Sequence, residues 1–188
     1  MNRPYNIYLC GVGGQGIGLL SELLSRAADH AGLEVHGCDT HGLAQRGGMV
    51  TSHLRLGQVR SPLVPDGQAD LVVALERTEA LRAARDMLRN SGTLVWYDAA
   101  WQALDVRLGR NGAVTEADVR SAAAAKGASA WRVYADDLPD SRMQNVAIVA
   151  EILRRGLIPG LERGHVEAAL ADLMAGAALE ANRALLKP

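Results

Sequence analysis

Phenylalanine is absent from this chain, and tryptophan and tyrosine bring the aromatics to only 4%. So thin a set does not build the stacking platforms on which single-stranded nucleic acids lie. Excess charge is missing too, since 20 Lys and Arg oppose 21 Asp and Glu for a balance of −1. No basic field draws the chain to nucleic acid or to an anionic membrane. The two cysteines, Cys10 and Cys38, form no C-x-x-C pair and cannot supply the four thiolates of a cubane cluster. They read as small buried hydrophobes, not as a disulfide. No apolar run reaches the length of a bilayer span, and Met-Asn-Arg-Pro leads into a strand instead of a secretory leader. A cytoplasmic protein without membrane or nucleic-acid partners is expected.

What remains is ordinary globular material, 188 residues at 48% hydrophobic, read as one domain over 1–188. Strand and helix signals alternate. Strands are expected at Asn6 to Cys10, Glu34 to Cys38, Val50 to Leu56, Leu71 to Leu75, Thr93 to Tyr97 and Ala130 to Tyr134, with a short one around Val106 to Leu108. Helices are expected at Ile17 to Ala31, closed by Gly32, and from about Thr78 to Arg89, closed by Asn90-Ser91-Gly92. Capping boxes at Thr115 to Asp118 and at Ser141 to Gln144 open two more, and a last helix spans about His165 to Leu186. This order predicts a three-layer α/β/α sandwich, Rossmann-like, with a mostly parallel or mixed sheet. Residues 50 to 56 alternate apolar and polar, so that strand is antiparallel or lies at an edge.

Two glycine clusters stand out. Gly11-Val12-Gly13-Gly14-Gln15-Gly16 satisfies G-x-G-x-x-G between a strand and a helix, where free amides and the helix dipole favour an anion. A dinucleotide site also wants an acid ending the second strand, and only Asp39 is available, late in the sequence. A tight turn needing glycine for close helix packing explains the motif as well. The second cluster, Thr40 to Met49, places His41, Gln45 and Arg46 among Gly42, Gly47 and Gly48. Donors on so pliant a backbone suit an anionic ligand or a partner protein; an Arg and His solvated on a turn is the plainer alternative.

Taken together, G-x-G-G-Q-G followed by H-G-x-A-Q-R-G-G and a strand resembles the gamma domain of 2-oxoacid:ferredoxin oxidoreductases. Its form is that of the small, beta subunit of indolepyruvate:ferredoxin oxidoreductase. Ser61-Pro62-Leu63-Val64-Pro65, Gly67-Gln68-Ala69-Asp70, Glu76, Ala80-Leu81, Asn145 and Gly156-Leu157-Ile158-Pro159 extend the likeness. The resemblance implies a small subunit of an enzyme that decarboxylates an aryl 2-oxoacid oxidatively, with coenzyme A as co-substrate and ferredoxin as acceptor. It implies no cofactor on this chain. Thiamine diphosphate, Mg and 4Fe-4S clusters would sit on a large partner subunit, and this chain would scaffold the complex and help admit coenzyme A or substrate. A phenylglyoxylate or pyruvate oxidoreductase gamma subunit, a stand-alone NAD(P)-binding Rossmann protein and a non-enzymatic interaction module are the alternatives.

The expected ligand or interface residues are therefore Gly11, Gly13, Gly14, Gln15, Gly16, His41, Gln45, Arg46, Gly47 and Gly48. Arg46 suits a coenzyme A phosphate, a substrate carboxylate or a partner's acid, with the partner or channel role preferred. Gln15 donates to a ligand or caps its helix. His53 shares a polar strand face with Arg55 and reads as an interface residue. His30, His36 and His165 lack metal-ligand spacing, and no G-x-S-x-G surrounds Ser21 or Ser52, so neither a metal nor a catalytic residue is assigned.

Overall fold

The computed structural model describes residues 3–40, 48–101, 106, 108 and 112–187. In chain order the elements are β1 (Tyr5–Val12), α1 (Ile17–His30), β2 (Val35–Thr40), β3 (Met49–Leu56), β4 (Ala69–Ala74) and α2 (Arg77–Asp86). Then follow β5 (Leu88–Tyr97), α3 (Glu116–Ala124), β6 (Ser129–Val133), α4 (Gln144–Arg154), α5 (Arg163–Leu173) and α6 (Gly176–Leu185). The six strands form one sheet in the order β2-β3-β1-β4-β5-β6. β3 pairs antiparallel with both β1 and β2, whereas β1, β4, β5 and β6 pair in parallel. Five strands thus run one way and β3 alone runs back between them.

Why the layers form is plain from the side chains. β4 is buried along its whole length, as a central parallel strand must be when helices cover both faces. On one face Ile7, Leu9, Leu54, Leu71 and Val73 pack against Leu20, Leu23 and Leu24 of α1, and against Ile148 and Ile152 of α4. On the other, Tyr8, Cys10, Val72, Leu94 and Trp96 meet Ala80, Ala84 and Met87 around α2, and Val119 and Ala123 of α3. Truncating a buried leucine in either layer to alanine costs about 2–5 kcal/mol. α1 stops where Gly32 turns at φ 67, its amide on the Asp29 carbonyl. α3 opens with the expected capping box between Thr115 and Asp118. No helix among the described residues is long and apolar enough to cross a membrane.

Four boundaries differ from expectation. α2 ends at Asp86 and β5 begins at Leu88, so Asn90-Ser91-Gly92 lies inside a strand. Arg89 is held there by the buried Asp70 carboxylate at 2.5 Å, and a Cβ at Gly92 would crowd the Leu88 side chain at 2.9 Å and the Ala69 carbonyl at 3.2 Å. The last helix is two, broken at Met174 and Ala175, with Gly176 at φ 59. Asp140, not Ser141, caps a single 3-10 turn before α4. The strand expected at Val106 to Leu108 falls largely outside the described residues, and Val106 itself is helical. β3 takes the antiparallel option, while β2 holds the edge.

Candidate functional site

The reversal of β3 brings the two glycine clusters together. Val12 pairs with Met49 and Gly11 with Val50, so the amino end of β3 lies beside the carboxyl end of β1. The Gly13 amide donates to the Gly48 carbonyl at 2.8 Å, tying the first turn to the end of the second loop. Thr40, which begins that loop, pairs through its backbone with Thr51 at the same rim. Gly48 is thus placed with Gly11 to Gly16. His41, Gln45, Arg46 and Gly47 lie outside the described residues.

The Gln15 side chain is engaged within the fold and does not cap α1. Its Oε1 accepts from the Val12 amide at 2.8 Å and its Nε2 donates to the Leu75 carbonyl at 2.7 Å. It therefore bolts β1 to β4 where the chain switches direction across the sheet, the crevice in which α/β folds place their ligands. Gly16 caps α1 in the left-handed region, φ 83, without a side-chain partner for the helix amides. Asn145 Nδ2 donates to the Gly16 carbonyl at 3.0 Å, and Gln144 Nε2 to the Gln15 carbonyl at 3.3 Å. Asn145 is only 1% exposed and its Oδ1 has no hydrogen-bond partner. Gly14 is the free apex, at φ 101 with open space around it.

This geometry argues against a self-sufficient dinucleotide site. The Gly13 amide that would cradle a phosphate is spent on Gly48. In the Rossmann arrangement the strand bearing the ribose-binding acid neighbours β1; here β3 intervenes, and Asp39 on β2 sits two strand spacings away, about 10 Å. Asp39 is also engaged, its Oδ1 accepting from Ser21 at 3.0 Å and Ser52 at 2.5 Å.

His53 and Arg55, expected at an interface, make contacts within the fold. His53 packs edge-on to Tyr8 with ring centroids 5.1 Å apart, and its Nδ1 accepts from the Val64 amide at 3.1 Å. The proton of the neutral ring is therefore assigned to Nε2. Burial pulls its pKa down, against the raising charge of Asp66. Arg55 donates to Asn6 Oδ1 at 2.8 Å and to the Ser61 carbonyl at 3.0 Å. Both residues lash the 57–68 connection onto β3.

A pattern that periodicity could not have shown is the placement of exposed apolar side chains. The large ones among the described residues are Leu19, Met49, Leu63, Trp101, Leu108 and Tyr134. Leu19 is in the first turn of α1, Met49 begins β3, Trp101 and Leu108 follow β5, and Tyr134 follows β6. Leu19, Met49, Trp101 and Tyr134 thus lie toward the carboxyl-end rim, whereas Leu63 sits in the connection that leaves the opposite end of β3. Trp101, 58% exposed, is held there because its amide donates to Glu76 Oε1 at 3.0 Å. Glu76 also caps α2 by accepting from the Glu79 amide at 2.9 Å. Behind it, Asp98 takes Arg77 at 2.6 Å and Arg132 at 2.5 Å. Burial alone would raise Asp98, but these two guanidiniums hold its carboxyl below the usual range.

Burial, with the charges of Glu79 and Glu76, pushes the Cys10 thiol well up. No group of three metal-ligating side chains occurs among the described residues.

The family profile for pyruvate ferredoxin/flavodoxin oxidoreductase matches residues 6–187. Indolepyruvate oxidoreductase subunit IorB of Archaeoglobus fulgidus is 52% identical over 86 residues, covering 46% of this chain and 43% of that protein. The subunit of the same name from Methanothermobacter thermautotrophicus is 46% identical over 91 residues, covering 48% of this chain and 46% of that protein. The matched stretch spans less than half the length of these relatives. Pyruvate oxidoreductase subunit PORC of Thermotoga maritima superimposes with a TM-score of 0.66 at 19% identity, covering 98% of this chain and 94% of that one. A 2-oxoglutarate:ferredoxin oxidoreductase from Magnetococcus marinus, solved with 2-oxoglutarate, coenzyme A and succinyl-CoA, gives 0.72 at 16% identity. That match covers 98% of this chain and 30% of the larger one, so the same fold forms one part of a longer polypeptide there.

Proposed function

The chain belongs to the pyruvate ferredoxin/flavodoxin oxidoreductase family, and we propose that it is the small subunit of a 2-oxoacid:ferredoxin oxidoreductase. Its substrate would be an aryl 2-oxoacid such as indolepyruvate, by analogy with the relatives named for that compound. The complex would convert the 2-oxoacid and coenzyme A to acyl-CoA and CO2, passing two electrons to ferredoxin. Thiamine diphosphate, Mg and the 4Fe-4S clusters would belong to a large partner subunit. This chain's residues do not fit such groups: two cysteines supply no four-thiolate set, and the rim acids are already committed to backbone amides and arginines.

The observation that carries the reading is the collection of exposed apolar side chains around the glycine turns, at the rim where α/β proteins receive ligands. Such a patch suits a partner surface. Leu19, Met49 and Trp101 would dock the large subunit. Gly11, Gly13, Gly14, Gln15, Gly16 and the 41–48 loop would shape the channel beside it, with Arg46 facing a partner acid or an incoming coenzyme A phosphate.

Purified alone, the chain should be colourless and fail to reduce a viologen dye with indolepyruvate, coenzyme A and thiamine diphosphate. Activity should come only when a cluster-bearing large subunit is added. Turnover by the isolated chain would overturn the proposed division of labour.

A further inference from the structure

A second concavity opens next to the rim, on the α2 side of the sheet. It is a trench of ≈ 490 Å³ lined from α2, from Asp66 in the 57–68 connection and from β1 and β3. Tyr8 and Cys10 form its floor, Met49 stands at its mouth, and Glu79, Arg82 and Asp86 edge it, with Asp66 opposite. Residues 79, 82, 83 and 86 are spaced to share one helix face. This face carries two carboxylates and a guanidinium, with Arg82 and Asp86 exposed and Glu79 buried. With Asp66, three acids oppose Arg82 alone.

Glu79 is the anomaly. Its side chain is 6% exposed, its Oε1 is held by Arg82 at 2.6 Å, and its Oε2 has no hydrogen-bond partner. A buried carboxylate oxygen without a donor is costly, and that cost is recovered when a donor arrives. Arg82 is not a fixed partner, being 57% exposed on a long stem that can swing into water.

We propose that this trench binds an organic cation on an apolar stem, an ammonium or guanidinium group accepted by Glu79 and flanked by Asp66 and Asp86. The stem lies along Tyr8, Cys10 and Met87. A diffusible amine and an arginine or lysine of a partner polypeptide offer the same chemistry. Only the polypeptide source depends on the subunit role proposed above.

The first test needs this chain alone. Agmatine is titrated calorimetrically into the purified protein, with n-butanol and butyrate as neutral and anionic controls. Saturable agmatine heat is expected, weakened about tenfold or more in Glu79→Gln and less in Asp86→Asn, with Asp29→Asn on α1 unaffected. Circular dichroism checks that each variant is folded, and Asp86→Asn stands in should Glu79→Gln not fold. No saturation up to about 20 mM, or undiminished binding in the folded variants, overturns the site. The second arm repeats the titration on the reconstituted complex. Loss of the agmatine signal assigns the cation to the partner polypeptide; its retention assigns a diffusible amine. Either result presupposes the site, so failure of the first arm and failure to assemble are distinguishable.

Discussion

Replacing Gly16 by alanine probes the joint between the glycine turn and α4. Two penalties add there. The first is conformational: at φ 83 an alanine sits in the left-handed region, at about 1–2 kcal/mol. The second is steric, because the new Cβ would stand 2.6 Å from Asn145 Nδ2. Asn145 cannot retreat freely, being 1% exposed and held to the Gly16 carbonyl by that same nitrogen. Forcing it aside adds about 1–3 kcal/mol of overpacking and endangers a hydrogen bond of about 1 kcal/mol. The expected loss is about 2–5 kcal/mol, a large share of the roughly 5–15 kcal/mol that holds such a fold. Gly14→Ala is the control, since its φ of 101 carries strain but its Cβ meets nothing within 4 Å. Urea denaturation of both variants, Asn145→Ala and the Gly16→Ala/Asn145→Ala double variant separates the terms. The double variant should recover the steric share, giving a coupling of about 1–2 kcal/mol. Equal losses at positions 14 and 16, or no recovery, would refute the reasoning.

Further outcomes follow from the charged groups and the rim. Asp98→Asn should destabilise by about 2–3 kcal/mol at pH 7, because it leaves Arg77 and Arg132 without their shared anion. The native carboxyl is held low, so its contribution is present above the ordinary aspartate range and is lost as pH falls through the depressed value. The gap between wild type and variant in urea melts should close below about pH 4. Glu79 has the opposite sign. Burial raises its carboxyl despite Arg82, so ionisation favours the unfolded chain and native stability drops as pH climbs above the usual glutamate range. Glu79→Gln should therefore melt at or above the wild-type temperature at pH 7 and lose that advantage near pH 4. Arg46→Ala should leave the melting temperature within about 1 °C but reduce assembly or acyl-CoA formation; unchanged turnover would make the loop incidental.

Much of the architecture was legible because burial and period coincide. The apolar run of β1, the Leu20, Leu23 and Leu24 stripe of α1 and the capping box at Thr115 all read directly onto the structure. Where long-range partners decide, local signals mislead. Asn90-Ser91-Gly92 has turn composition, yet Asp70, 19 residues before Arg89, holds that stretch in β5. The alanine-rich C-terminal stretch reads as one helix by propensity, while Met174 packs onto the core and Gly176 turns the chain. The glycine turn was visible as a motif but not in its use. Gln15 bridging to Leu75, and Gly13 meeting Gly48, depend on β3 returning between β1 and β2. Gln144 reads as the end of a capping box, and its bond to the Gln15 carbonyl has no local signature. Glu76 stood out by resemblance, but its hold on the Trp101 amide 25 residues away has no sequence signature.

The proposed docking at the carboxyl-end rim is best tested by the affinity of this chain for the proposed cluster-bearing subunit. Two changes are compared: Met49→Ser with Trp101→Ser at that rim, and Leu63→Ser at the opposite end, each variant first shown to be folded. The rim pair should weaken assembly about tenfold or more while Leu63→Ser leaves it unchanged. Equal affinities for all three proteins, or a loss confined to Leu63→Ser, would contradict the account.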